Sequence, residues 1–204
     1  MIKNRNNILI KTIRKNRFFQ NRQGGTAVEF ALVASLFLAL LFGILDFGRL
    51  FFDWNKAAKA TELGVRMAIV SDMVAVGLQD YDGLIVAGGN GLPVPVSAIN
   101  GGQPVICKSG GNCNGYGFDQ AGFDKILTRM QGVYPQIQAE NLVVEYHHIG
   151  FGFSGNPYGS DISPNVTVRL ENMQFNFLFP GLQTLATLTM PELKATLTGE
   201  DFRN

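Results

Sequence analysis

The chain has one long apolar run. Phe30 to Leu45 carries no charge, and Thr26 to Val28 before it and Phe47 to Phe52 after it extend the run if Asp46 and Arg49 pair or reach an interface. Sixteen uncharged residues fall just short of the roughly 20 a bilayer core needs, so the pattern predicts one transmembrane helix over residues 25–52 only with those extensions. Helical periodicity then continues. Ala57, Ala60, Thr61, Gly64, Met67 and Ala68 recur at three- and four-residue spacing, while Lys56, Lys59, Glu62 and Arg66 take another face, with Glu62 four before Arg66. A single helix from about Thr26 to about Val70 would span roughly 65 Å. Gly48 and Gly64 are its expected weak points.

Beyond that helix the period changes. Residues 83–117 are dominated by glycine, proline and asparagine and read as loop with room for short strands. Phe123, Ile126, Leu127, Met130 and Val133 mark a short amphipathic helix, with Asp119 as its cap and Gly132 and Pro135 at its end. Leu142 to Ile149 is strand-like, and Val166, Val168 and Leu170 alternate with polar neighbours, as do Leu193, Ala195 and Leu197. The expected fold class is α+β: a long N-terminal helix, a membrane span continuing as an amphipathic one, with a small exported domain over residues 53–204 whose antiparallel sheet packs on it.

Charge sets the topology. Lys3, Arg5, Lys11, Arg14, Lys15, Arg17 and Arg22 precede the apolar run, and all 16 acidic residues lie beyond Gly24. The formal charge of +1 therefore divides into a basic leader, residues 1–24, and an acidic remainder of net −6. Such a split predicts a cytoplasmic N-terminus and an exported C-terminus, and it disfavours nucleic-acid binding. A cleaved secretory signal needs a small-x-small site soon after the apolar core. Leu45-Asp46-Phe47-Gly48-Arg49 offers none, and Ala58-Lys59-Ala60 lies well downstream.

The chemistry concentrates at the entrance to the span. Arg22-Gln-Gly-Gly-Thr-Ala-Val-Glu-Phe30 places a small-residue break and then a lone carboxylate, Glu29, there. A carboxylate costs roughly 2.5 to 3.5 kcal/mol at the centre of a membrane helix, so Glu29 calls for a partner or for the headgroups. Ala27, Ala31, Ser35, Ala39 and Gly43 form a row of small side chains that lets another helix approach closely. Asp46, Arg49 and Asp53 stand three and four apart, as an interfacial collar or a charge ladder at the helix exit. Cys107 and Cys113, the two cysteines, would meet an oxidising compartment and form a disulfide, and two cysteines make only half a structural zinc site. His147 and His148 point to opposite faces of a strand, although Glu145 and His147 share one. The glycines of 83–117 lack the Lys-Ser/Thr of a phosphate cradle, and no nucleophile or metalloprotease motif is present. No cofactor, metal or enzymatic activity is implied.

Gly24, then Glu29-Phe30 and a hydrophobic helix, resembles the processing site of type IV pilin precursors. Gly25-Thr26-Ala27-Val28-Glu29-Phe30-Ala31-Leu32-Val33, followed by Phe42-Gly43-Ile44-Leu45-Asp46-Phe47-Gly48-Arg49, resembles the opening domain of the TadE-like family of tight-adherence pilus assembly proteins, minor pilins or pseudopilins. The resemblance covers roughly residues 22–70. It implies cleavage after Gly24 by prepilin peptidase, leaving Gly25 as N-terminus, and assembly through Glu29, Phe30 and the small-residue row, with Glu29 pairing a neighbour's Gly25 amine. It also implies a single-pass bacterial inner-membrane protein whose partners are the peptidase, the pilus assembly platform, other pilins and the lipid bilayer. Many family members carry a proline within the membrane helix; this chain has none before Pro93. The alternative is an uncleaved, signal-anchored envelope protein with an exported binding or enzymatic domain.

Overall fold

The computed structural model describes residues 24–157, 159–178 and 188–199. The basic leader up to residue 23 lies outside them. Helix α1, Gly25–Val70, comprises 46 residues, and the chain divides into two compact units, Met1–Phe47 and Gly48–Asn204. The architecture is mixed α+β, as the change of period predicts.

The described part of the first unit is helix from Gly25 on. Leu, Ala and Phe dominate it, and no proline interrupts its main-chain hydrogen bonds. None of its most apolar 18-residue window is buried. Phe30 is 75% exposed and Leu36 73%.

In the second unit the rest of α1 is a core element. Ala57, Ala60, Val65 and Ala68 are buried against the sheet and a second long helix. Thr61, also buried, donates its hydroxyl to the Ala57 carbonyl at 2.8 Å, so its burial leaves no polar atom unpaired. The exposed Glu62 takes its hydrogen bond from Lys59 at 2.8 Å, one turn earlier, where the sequence spacing had pointed to Arg66.

The helix passes both glycines unbroken. A Cβ on Gly64 would fall 2.6 Å from Met130 Sδ and 3.2 Å from Val168 Cγ1. The missing side chain is what lets the sheet and its covering helix close onto α1, and that packing outweighs glycine's helix penalty of about 1 kcal/mol.

After single helical turns α2, Val76–Gln79, and α3, Leu84–Ala87, the chain forms strand β1, Val105–Lys108, and helix α4, Gln120–Gln131. Asp119 caps α4, accepting hydrogen bonds from the Ala121 and Gly122 amides at 3.0 and 2.8 Å. Phe123, Ile126 and Met130 line its buried side. Strands β2, Leu142–His147, β3, Asn165–Leu170, and β6, Leu193–Thr198, complete an antiparallel sheet of order β1-β2-β3-β6, and β4, Gln174–Phe175, pairs with β5, Leu188–Thr189. The register aligns Val144 with Val168 and Ala195, and Tyr146 with Val166 and Leu197, which gives the sheet one apolar face.

The free edge of β1 is closed by its own loop. Cys107 and Cys113 are bridged with Cα atoms 4.4 Å apart. Asn114 Oδ1 accepts the Ile106 N–H at 2.7 Å, and the Gly111 N–H donates to the Lys108 carbonyl at 2.9 Å. Main-chain groups that would otherwise template another strand are thereby occupied. Residues 83–117, expected as loop with short strands, hold β1, the turn α3 and several 3-10 turns.

Candidate functional site

Gly24 and Gly25 are unobstructed, since a Cβ built on either meets no atom within 4 Å. α1 begins at Gly25 and Gly24 has 3-10 conformation, so the bond between the two glycines stands at the first residue of the α-helix. That is where a main chain is most easily drawn out into an extended form, glycine having no Cβ to resist it.

Glu29 and Phe30 follow on α1, both exposed. Of the small-residue row, Ala27, Ala31 and Ser35 are exposed and Ala39 and Gly43 partly so. Ser35 donates its hydroxyl to the Leu32 carbonyl at 2.9 Å. The one polar side chain in the row is thus satisfied within its own helix and costs little in an apolar setting.

Farther along α1, Asp46 lies in the last turn of the first unit, and Arg49 and Asp53 in the first turns of the second. The Arg49 guanidinium lies 5.4 Å over the Phe175 ring, and Phe175 meets Phe177 edge-on at 5.2 Å. Nearby, burial raises the pKa of the Tyr134 hydroxyl, the Asp53 charge raises it further, and Arg49 opposes both. Arg49 therefore belongs to an aromatic cluster. Helical spacing alone does not reveal Phe175, which is far away in sequence; the signal that could have found it is the density of aromatics over Phe175 to Phe179.

Elsewhere the structure separates candidates from roles. Glu145 and His147 share the polar face of the sheet, but Glu145 pairs with Arg169 at 2.8 Å. Arg169 also meets Glu171 at 2.8 Å and Glu192 at 3.2 Å, and Lys108 reaches Glu171 at 2.8 Å. His148 is buried with Nε2 3.1 Å from the Val94 carbonyl, tying the strand end to a loop. Among the described residues no group of three or more His, Cys, Asp or Glu could hold a metal ion.

The polar face carries a pH signature. The Lys108 hydrogen bond holds the Glu171 carboxyl below its usual range; burial opposes this and the Arg169 charge assists it. A carboxyl with a lowered folded pKa contributes stability that is present above its unfolded value of about 4.3 and is lost as pH falls through the folded value. Thermal melts of the full chain in detergent should therefore show Glu171→Gln less stable than the parent at neutral pH, with the gap closing as pH falls below the unfolded value and through the folded one. A gap independent of pH would show that the loss is of packing and not of charge.

Residues 24–66 match the model of a family described as TadE-like protein. The match begins at Gly24 and ends inside α1, so the sheet and its loops lie outside it. No curated protein and no solved structure matches the chain.

Proposed function

We propose that this chain is a minor pilin or pseudopilin of a tight-adherence pilus system, cleaved by prepilin peptidase after Gly24 and assembled through its N-terminal helix. The TadE-like match supports a role in pilus assembly, in a family that is in general not enzymatic. An apolar, uncovered helix near the N-terminus is compatible with single-pass anchoring and suggests the bilayer and other pilins as its contacts. One observation carries the reading furthest: the match starts at the same glycine where the unobstructed Gly24–Gly25 bond precedes the helix bearing Glu29.

In this reading residues 1–24 stay in the cytoplasm until cleavage, residues 25–52 cross the inner membrane, and residues 53–204 form the exported domain. The peptidase, the assembly platform and the major pilin are the partners. After cleavage Glu29 is the fifth residue, and its carboxylate pairs with the Gly25 amine of a neighbour. Each group offsets the desolvation of the other, and the contact sets axial register. The row from Ala27 to Gly43 drifts about 40° per step on a 3.6-residue helix, which suits a crossing partner.

Processing tests this. Mass spectrometry of the membrane-extracted protein from cells with prepilin peptidase is expected to give a start at Gly25, and full length from cells without it. Replacing Gly24 by Val is expected to give the full-length protein in both. An intact N-terminus in peptidase-positive cells would instead indicate the uncleaved envelope protein with an exported binding or enzymatic domain.

A further inference from the structure

In the second unit, residues 91–94 and 152–154 are hydrogen-bonded side by side as two loop segments. The Val94 N–H donates to the Gly152 carbonyl at 3.3 Å, the Ser154 N–H to the Leu92 carbonyl at 2.9 Å, and the Gly91 N–H to the Ser154 carbonyl at 2.8 Å. Asp161 joins α3 to this ladder by accepting the Gly83 amide at 2.7 Å through Oδ2 and the Asn156 amide at 2.7 Å through Oδ1. His148 and Ser154 anchor the same loops from below. These polar contacts hold together segments that carry exposed apolar side chains: Ile85 is 93% exposed, Phe153 64% and Phe151 56%, and Val86 and Leu92 are exposed as well. Single exposed apolar residues are ordinary, but several on segments tied together by main-chain hydrogen bonds point to an interaction site.

The charge beside this patch is of one sign. Residues 73–106 and 148–168 contain Asp80, Asp82 and Asp161 and no Lys or Arg. The three aspartates line one cleft with Leu84 and Pro157. An anionic lipid surface is repelled by such a face, and a bilayer-seeking loop would place Lys or Arg beside its aromatics. A second copy docking the same patch would set aspartates against aspartates.

We infer that this loop face, Ile85, Leu92, Phe151 and Phe153 beside the Asp80–Asp82–Asp161 cleft, docks a different polypeptide, one that presents apolar side chains flanked by Lys or Arg. Aromatic and aliphatic side chains supply the buried centre, and the exposed Asp80 and Asp82 select a cationic partner and speed its approach. The inference does not depend on cleavage at Gly24.

The test uses the full chain in its native cells, with a photoreactive phenylalanine analogue at Ile85 or Phe153 and, as a control, at Lys125 on α4. The expected result is an adduct from the first two positions and not from the third, mapped by mass spectrometry to a segment of another protein with Lys or Arg beside apolar residues. Asp80→Asn with Asp82→Asn keeps the oxygen that accepts the Leu84 amide while removing both charges, and is expected to cut adduct yield at least fivefold. An adduct to lipid, to a second copy of this chain or to an acidic segment overturns the proposal. So do the absence of any adduct, an equal yield from Lys125 and a yield unmoved by the two aspartate changes.

Discussion

Glu29→Ala is expected to leave the protein cut after Gly24 and inserted, while piliation and surface adherence fall on the order of tenfold or more, equivalent to about 1.4 kcal/mol per lost contact. The effect is large because Glu29 is the one acidic residue between Gly24 and Asp46, so no neighbour can take over its pairing with an incoming Gly25 amine. Alanine also removes the cost of placing a carboxylate in or near the apolar layer, so membrane insertion should be unharmed and any loss lies in assembly. Glu29→Gln separates charge from hydrogen bonding: it keeps the shape and loses the ion pair, and should track Ala if charge matters. Normal adherence by a Glu29→Ala strain whose protein starts at Gly25 would refute the register role.

Gly152→Ala should lower the melting temperature of the full chain in detergent by about 10 °C, corresponding to a loss of about 3 kcal/mol in a domain of this size. Gly152 has φ +126°, and a Cβ there would run into the Asp161 carbonyl oxygen and come within 2.7 Å of Ile162 Cα. Both obstacles are main chain, so neither can move aside as a side-chain tip does. Gly88 provides the comparison. It ends α3 at φ +82° with nothing within 4 Å of a Cβ, and Gly88→Ala should cost only the backbone strain, about 1 kcal/mol. Equal melting shifts for the two would mean that the close approach of the 152 and 161–162 segments does not hold in solution.

The fold was legible wherever a period ran long enough. Val166, Val168 and Leu170 are buried as their alternation requires, and α4 is capped by Asp119 and ends at Gly132. Glycine misled at position 64, because helix propensity describes an isolated helix and says nothing of Met130 and Val168 waiting above it. Strand Leu142–His147 stops short of Ile149 because His148 turns inward to Val94, a contact fixed by a loop 54 residues earlier. The junction from Gly24 to Phe30 is different in kind, being local in sequence, so its residues can be considered together without any tertiary contact. Arg49 with Phe175, and Arg169 among three glutamates, are pairings of distant segments that emerge only from register and topology.

Tyr146 turns the core into an optical instrument. Its ring is fully buried in the sheet, and its hydroxyl accepts the Val74 N–H at 2.9 Å just beyond the end of α1. Burial drives its ionisation far above that of an exposed phenol, the Val74 hydrogen bond opposing and the Asp119 charge assisting. A raised folded pKa stabilises the neutral, folded form until pH climbs through it, so this phenol should stay dark to alkali while the domain is intact. Its ultraviolet tyrosinate signal would then report the moment at which helix and sheet part company, with no label attached.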